Sequence, residues 1–115
     1  MWYSKKTVTI NVAHHIRGVK DIEKVLHGHT WRVSVFCMND VPNIKGNLVN
    51  DEEIEQVIFT YNNIVLNELP EFSDEVDESL NPTPENLAYI IAKQIPLAWR
   101  VVISDITGDE WCYEQ

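Results

Sequence analysis

Glycine and proline are scarce in this sequence, four and five in 115 residues, so it lacks the composition of flexible linkers and disordered tails. Cationic side chains are few as well. Nine Lys and Arg face 18 Asp and Glu, for a formal charge of −9, and the nine are scattered rather than gathered into a patch. Such a surface repels phosphate backbones and anionic headgroups, so neither nucleic acid nor a membrane is an expected partner. No window approaches the roughly 20 apolar residues that span a bilayer, and the opening Met-Trp-Tyr-Ser-Lys-Lys lacks the apolar stretch of an export signal. A cytoplasmic location is the expectation. Cysteine is nearly absent: Cys37 and Cys112 lie in strand-like segments, where the thiols of an unexported protein are expected to be free and buried.

What is present suits one packed core. Hydrophobic residues make up 44% of the chain and charged residues 23%, and the length leaves little room for a second core, so residues 1–115 are read as a single domain. From Thr7 to His14 the pattern alternates, with Val8, Ile10, Val12 and His14 on one face. A second alternation from His27 to Met38 places His27, His29, Trp31, Val33, Val35 and Cys37 together. The polar connection between them contains Gly18 and suggests a long-looped antiparallel hairpin. After a loop at 42–46, Asn50 or Asp51 can cap a helix whose apolar positions run from Ile54 to Val65 and which is expected to end near Asn67 or Leu69, before Pro70. Thr83-Pro84-Glu85 reads as an N-cap with proline at the first helical position, opening a second helix that Pro96 stops.

Trp99, Val101, Ile103 and Asp105 then alternate along a third strand, Gly108 makes a turn, and Glu110 to Glu114 forms a last strand with Trp111 and Tyr113 on one side. The expected fold is α+β: a β-β-α-α-β-β unit in two layers, with a four-stranded antiparallel sheet and two helices on one face. Its open sheet edges and second sheet face favour oligomerisation.

Three imidazoles at the ends of adjacent strands suit a tetrahedral zinc ion with one open position, and the alternation selects His14 rather than His15 as partner to His27 and His29. By itself, His-Gly-His is a weak signal that reads more readily as a pair of ordinary satisfied or surface histidines. Its setting is more specific. Ile10-Asn11-Val12-Ala13-His14, Leu26-His27-Gly28-His29-Thr30-Trp31 and Asn81-Pro82-Thr83-Pro84-Glu85-Asn86-Leu87-Ala88, with Gly46, Asn67 and Tyr113 in order around them, resemble the motifs of the 6-pyruvoyl-tetrahydropterin and 6-carboxy-tetrahydropterin synthase family.

That resemblance implies the tunnelling fold, zinc at His14, His27 and His29, a reduced pterin such as dihydroneopterin triphosphate as substrate, and barrel-forming homotrimers often stacked as hexamers. It implies a lyase that moves protons around zinc-held hydroxyls, with Thr83 beside the substrate. It also exposes departures. Glu23 stands where the family has its catalytic cysteine, four residues before His27, and a subgroup with glutamate there cleaves the substrate side chain. Glu23 is therefore either a solvated loop carboxylate or the general base. Asn62-Asn63 replaces the family's Asp-His proton relay. Asp105 occupies the place of the glutamate that accepts the pterin's paired N–H groups, but it can equally begin a turn with Thr107 and Gly108. A non-catalytic, zinc-containing pterin-binding or regulatory module is the alternative to the enzyme.

Overall fold

A long hairpin organises the molecule, since β1 (Trp2–His14) and β2 (His27–Asn39) pair antiparallel over their whole lengths, from Trp2 opposite Asn39 to His14 opposite His27. The computed structural model describes residues 1–18, 24–40, 51–73, 75 and 79–115. Glu23 and the loop expected at 42–46 lie outside them. β2 continues onto β4 (Ala98–Ser104), and β4 onto β5 (Glu110–Glu114), both antiparallel.

The helices α1 (Asp51–Phe59) and α2 (Pro84–Gln94) cover the face carrying the alternating apolar residues. Ile54 and Ile58 of the first and Leu87, Ala88, Ile91 and Ala92 of the second pack against Ile10, Val33, Val35, Val101 and Ile103, most of them without exposed surface. Thr83 caps α2: its hydroxyl oxygen accepts from the Asn86 N–H at 3.3 Å, and Pro84 follows.

With a short β3 (Ile64–Val65), the described residues form a five-stranded sheet in the order β3-β1-β2-β4-β5, where four strands were expected. The additional β3 runs parallel to β1, opposite Val12 and Ala13. It exists because α1 stops at Phe59 instead of running on to Asn67 or Leu69. Asn63 takes a left-handed φ of 59°, and its N–H donates to Asn11 O at 2.7 Å while Asn62 Oδ1 accepts from Asn11 N–H at 2.8 Å. Helical periodicity alone missed this, because Ile64 and Val65 are apolar at helical spacing but are β-branched and follow two residues that readily leave the helix. Leu66 and Phe72, in two short 3₁₀ turns, then plug the core with no exposed surface.

Two expectations about side-chain placement are corrected. Trp99 does not share the core face of Val101: a bulge opposite Phe36 and Cys37 leaves Ala98 in the core and turns Trp99 outward, where its ring meets Phe36 at 6.2 Å. Cys37 is free and buried, but Cys112 is exposed on edge strand β5, with Arg100 Nε 3.2 Å from its sulfur. The sheet face opposite the helices ends in the exposed cross-strand pair Tyr3 and Met38. Among the described residues no helix is long and apolar enough to cross a membrane.

Candidate metal centre

The hairpin register brings the histidines together. Pairing of Val12 with His29 and of His14 with His27 sets all three on the helix-covered face, at the end where the strands diverge. One nitrogen from each ring lies within 4.8 Å of the others, the only such cluster of ligand-type side chains among the described residues. Trp31, buried, forms the floor: His29 lies parallel to it at 5.4 Å, and His14 meets it edge-on at the same separation. Gly28, between the two histidines of β2, is not required for space, because a Cβ there would stand 3.5 Å from Val12 O, an ordinary contact.

Hydrogen bonding decides which nitrogens are available. His14 Nδ1 lies 2.7 Å from Pro82 O, and His27 Nδ1 lies 2.7 Å from Val25 O. A carbonyl can only accept, so both Nδ1 atoms carry the proton and both Nε2 atoms, if the rings are neutral, present lone pairs. Those two Nε2 atoms stand 3.0 Å apart. Facing lone pairs at this distance repel, and a cation between them removes the conflict. A proton is poorly suited to His14, because burial, reinforced by the neighbouring imidazoles His27 and His29, pushes its pKa down to about 4 against the donor bond to Pro82. His29 is lowered too, chiefly by burial and then by His27, with Asp105 opposing. Three imidazoles, two of them with tautomers held by carbonyls, form a donor set that could hold a metal ion.

The histidines form one wall of a cavity of about 530 Å³ whose other walls include Ile16, Thr83, Glu85, Asp105 and Trp111. Thus Thr83 and Asp105, singled out from sequence, border the same space as the three histidines. Asp105 Oδ1 is already engaged in a turn, accepting from Thr107 N–H at 3.0 Å, Thr107 Oγ1 at 2.6 Å and Asp109 N–H at 3.0 Å, and these bonds, led by the Thr107 hydroxyl, hold its carboxyl below the usual range. Glu85, also on the cavity wall, belongs to the helix-entry motif, and its place in the first turn after the Thr83 cap is its sequence signal. His15 lies elsewhere, in a separate cavity with Leu26, Asn67 and Glu68. Asn62 and Asn63 do not line the histidine cavity but fasten the edge of β1. Glu23 falls outside the described residues.

Over residues 3–107 the chain matches the family model described as 6-pyruvoyl tetrahydropterin synthase. Among solved structures it is similar to the 6-pyruvoyl tetrahydropterin synthase of Caenorhabditis elegans, with a TM-score of 0.74 and 17% identity over 99% of this chain and 95% of that one. It is also similar to an uncharacterized protein from Wolinella succinogenes, with a TM-score of 0.70 and 13% identity over 99% and 98% of the two chains. At these identities the likenesses speak for the fold. A comparison with curated proteins finds no match. The sequence match over residues 3–107 establishes that this chain belongs to the 6-pyruvoyl tetrahydropterin synthase family.

Proposed function

We propose that this chain holds zinc through His14, His27 and His29 and acts as a lyase of the 6-pyruvoyl or 6-carboxy-tetrahydropterin synthase type on dihydroneopterin triphosphate or a related reduced pterin. The observation that carries this reading is the pair of Nε2 lone pairs converging at 3.0 Å on the wall of a cavity of about 530 Å³. Two nitrogens each about 2.0–2.1 Å from a tetrahedral ion stand about 3.3 Å apart, close to the spacing already present. When bound, zinc supplies Lewis acidity to a hydroxyl of the substrate side chain.

The chain's own residues do the rest. Trp111 and Ile16 offer apolar surface to a flat ring, and Thr83 and Asp105 offer polar atoms in the same cavity. Because Asp105 Oδ1 serves the turn, its grip on the paired pterin N–H groups falls mainly to the second oxygen, and Glu85 offers another carboxylate in the same cavity. We assign the general-base role to Glu23, at the position of the family's cysteine. An ionised carboxylate at that place in the sequence suits proton abstraction.

Incubating zinc-loaded protein with dihydroneopterin triphosphate and identifying the products tests this. New pterin products with altered side chains support the lyase. Tight binding of the pterin without product favours the second reading, a non-catalytic or regulatory module. Asn62 speaks for that second reading, since an amide cannot shuttle protons and its Oδ1 already accepts from Asn11 N–H. For assembly, we assign homotrimers, alone or stacked as hexamers, because β5 ends the sheet and the face opposite the helices carries exposed Tyr3 and Met38. Light scattering that returns a monomer refutes this assembly.

A further inference from the structure

Beyond His14 the backbone leaves the strand, and side-chain amides take over the work of neighbouring strands. His15 N–H donates to Asn67 Oδ1 at 2.9 Å, and Asn67 Nδ2 donates back to His15 O at 3.0 Å. Two residues on, Arg17 N–H donates to Asn81 Oδ1 at 2.9 Å, and Asn81 Nδ2 donates to Arg17 O at 3.1 Å. Each asparagine thus reproduces the paired donor and acceptor of a strand partner.

The Arg17 side chain reaches further along the segment that Asn81 belongs to. Its guanidinium donates to Phe72 O at 2.7 Å, to Leu80 O at 2.7 Å, and to Ser79 O and Oγ at 3.2 and 3.1 Å. Such a set of divergent acceptors suits the rigid multi-donor fork of arginine and not the single ammonium of lysine. Pro82 comes next in the chain. Proline has no N–H, so its own amide cannot anchor it, and its carbonyl is placed by its neighbours. Those neighbours are tightly held: Asn81 O accepts from Asn86 Nδ2 at 2.9 Å and from Thr83 N–H at 2.8 Å. Pro82 O is the acceptor that keeps the proton of His14 on Nδ1.

We infer that Arg17 is a positioning residue for the metal centre, its side chain acting through Ser79, Leu80 and the Pro82 carbonyl to keep His14 in the Nδ1–H tautomer with its Nε2 lone pair directed at the ion. The inference rests on the reading of His14, His27 and His29 as metal ligands. Partners that orient a liganding histidine typically change metal affinity about 10–100-fold when lost.

The test compares the parent chain with Arg17→Met and Arg17→Lys. Zinc affinity is measured by competition with a chromophoric chelator, and the His14 tautomer by ¹⁵N imidazole shifts of the metal-free protein. Both variants are expected to bind zinc more weakly, Arg17→Met by about 10–100-fold, and to lose the pure Nδ1–H signature of His14. A residue that merely fastens the loop would leave that signature in place. Lowered affinity with an unchanged tautomer therefore overturns the route through Pro82, as does parent-like affinity in either variant. If Arg17→Met does not fold, Arg17→Lys decides by the same two readouts. His14→Ala separates the two levels of argument: zinc bound at parent affinity by that variant refutes the metal reading, whereas zinc lost there but kept on Arg17 replacement refutes only the present inference.

Discussion

The buried His14 makes the metal-free protein sensitive to acid, and the size of the effect follows from its pKa. In the folded chain the imidazole titrates at about 4, against an ordinary 6.5. Between those values the unfolded chain carries the extra proton, so stability is greatest above the ordinary pKa and falls as pH drops through the window. From pH 7 to pH 5 the linkage amounts to about 2 kcal/mol, and water entering the open cavity reduces it to about 1–2 kcal/mol. His14→Asn is the informative perturbation, since its amide can still donate to Pro82 O yet cannot titrate. Urea unfolding of chelator-treated parent and variant at both pH values is the assay. The parent is expected to lose about 1–2 kcal/mol more than His14→Asn on acidification. Equal losses would show that His14 takes up its proton as readily folded as unfolded, and the argument from facing lone pairs would fail with it.

Three further outcomes are expected. Alanine at His14, His27 or His29 abolishes stoichiometric zinc, whereas His15→Ala retains it because that residue lies in a separate cavity, and metal analysis of the four purified variants decides. Glu23→Gln retains pterin binding but lowers turnover by at least about a hundredfold, read from binding and product-formation assays run side by side, and unchanged turnover removes Glu23 from the mechanism. Thr83→Ala loses the cap on α2 and lowers stability by about 1 kcal/mol in urea unfolding, with an unchanged midpoint as the contrary result.

Much of the architecture was legible in the sequence because it rests on short-range periodicity. The alternation through Val8, Ile10, Val12 and His14, and through His29, Trp31, Val33 and Val35, marks the buried face of each hairpin strand, and the two-residue repeat also selects His14 over His15. Thr83-Pro84 marked the start of α2 for a similarly local reason, the capping of free N–H groups. Periodicity failed where two patterns fit the same residues. Ile64 and Val65 continue the helical spacing of α1, yet Asn62 and Asn63 bond to Asn11 and turn them into a strand beside β1. The outward turn of Trp99 depends on a bulge against β2, a register that no local pattern records.

For the site, the sequence by itself determined the ligand-type residues and the face they share, because both follow from strand geometry. Which nitrogen of His14 is free was decided only by tertiary structure, whereas His27 is set locally by Val25 O two residues before it. Pro82 O reaches His14 from 68 residues away, and the Asn81 and Arg17 bonds that hold it span comparable separations. The cavity is likewise a product of assembly, since Ile16, Thr83, Asp105 and Trp111 come from four separate segments. Contacts between segments so distant in the chain arise when the helices close over the sheet and bury its apolar face, and no spacing within a single strand or helix encodes them.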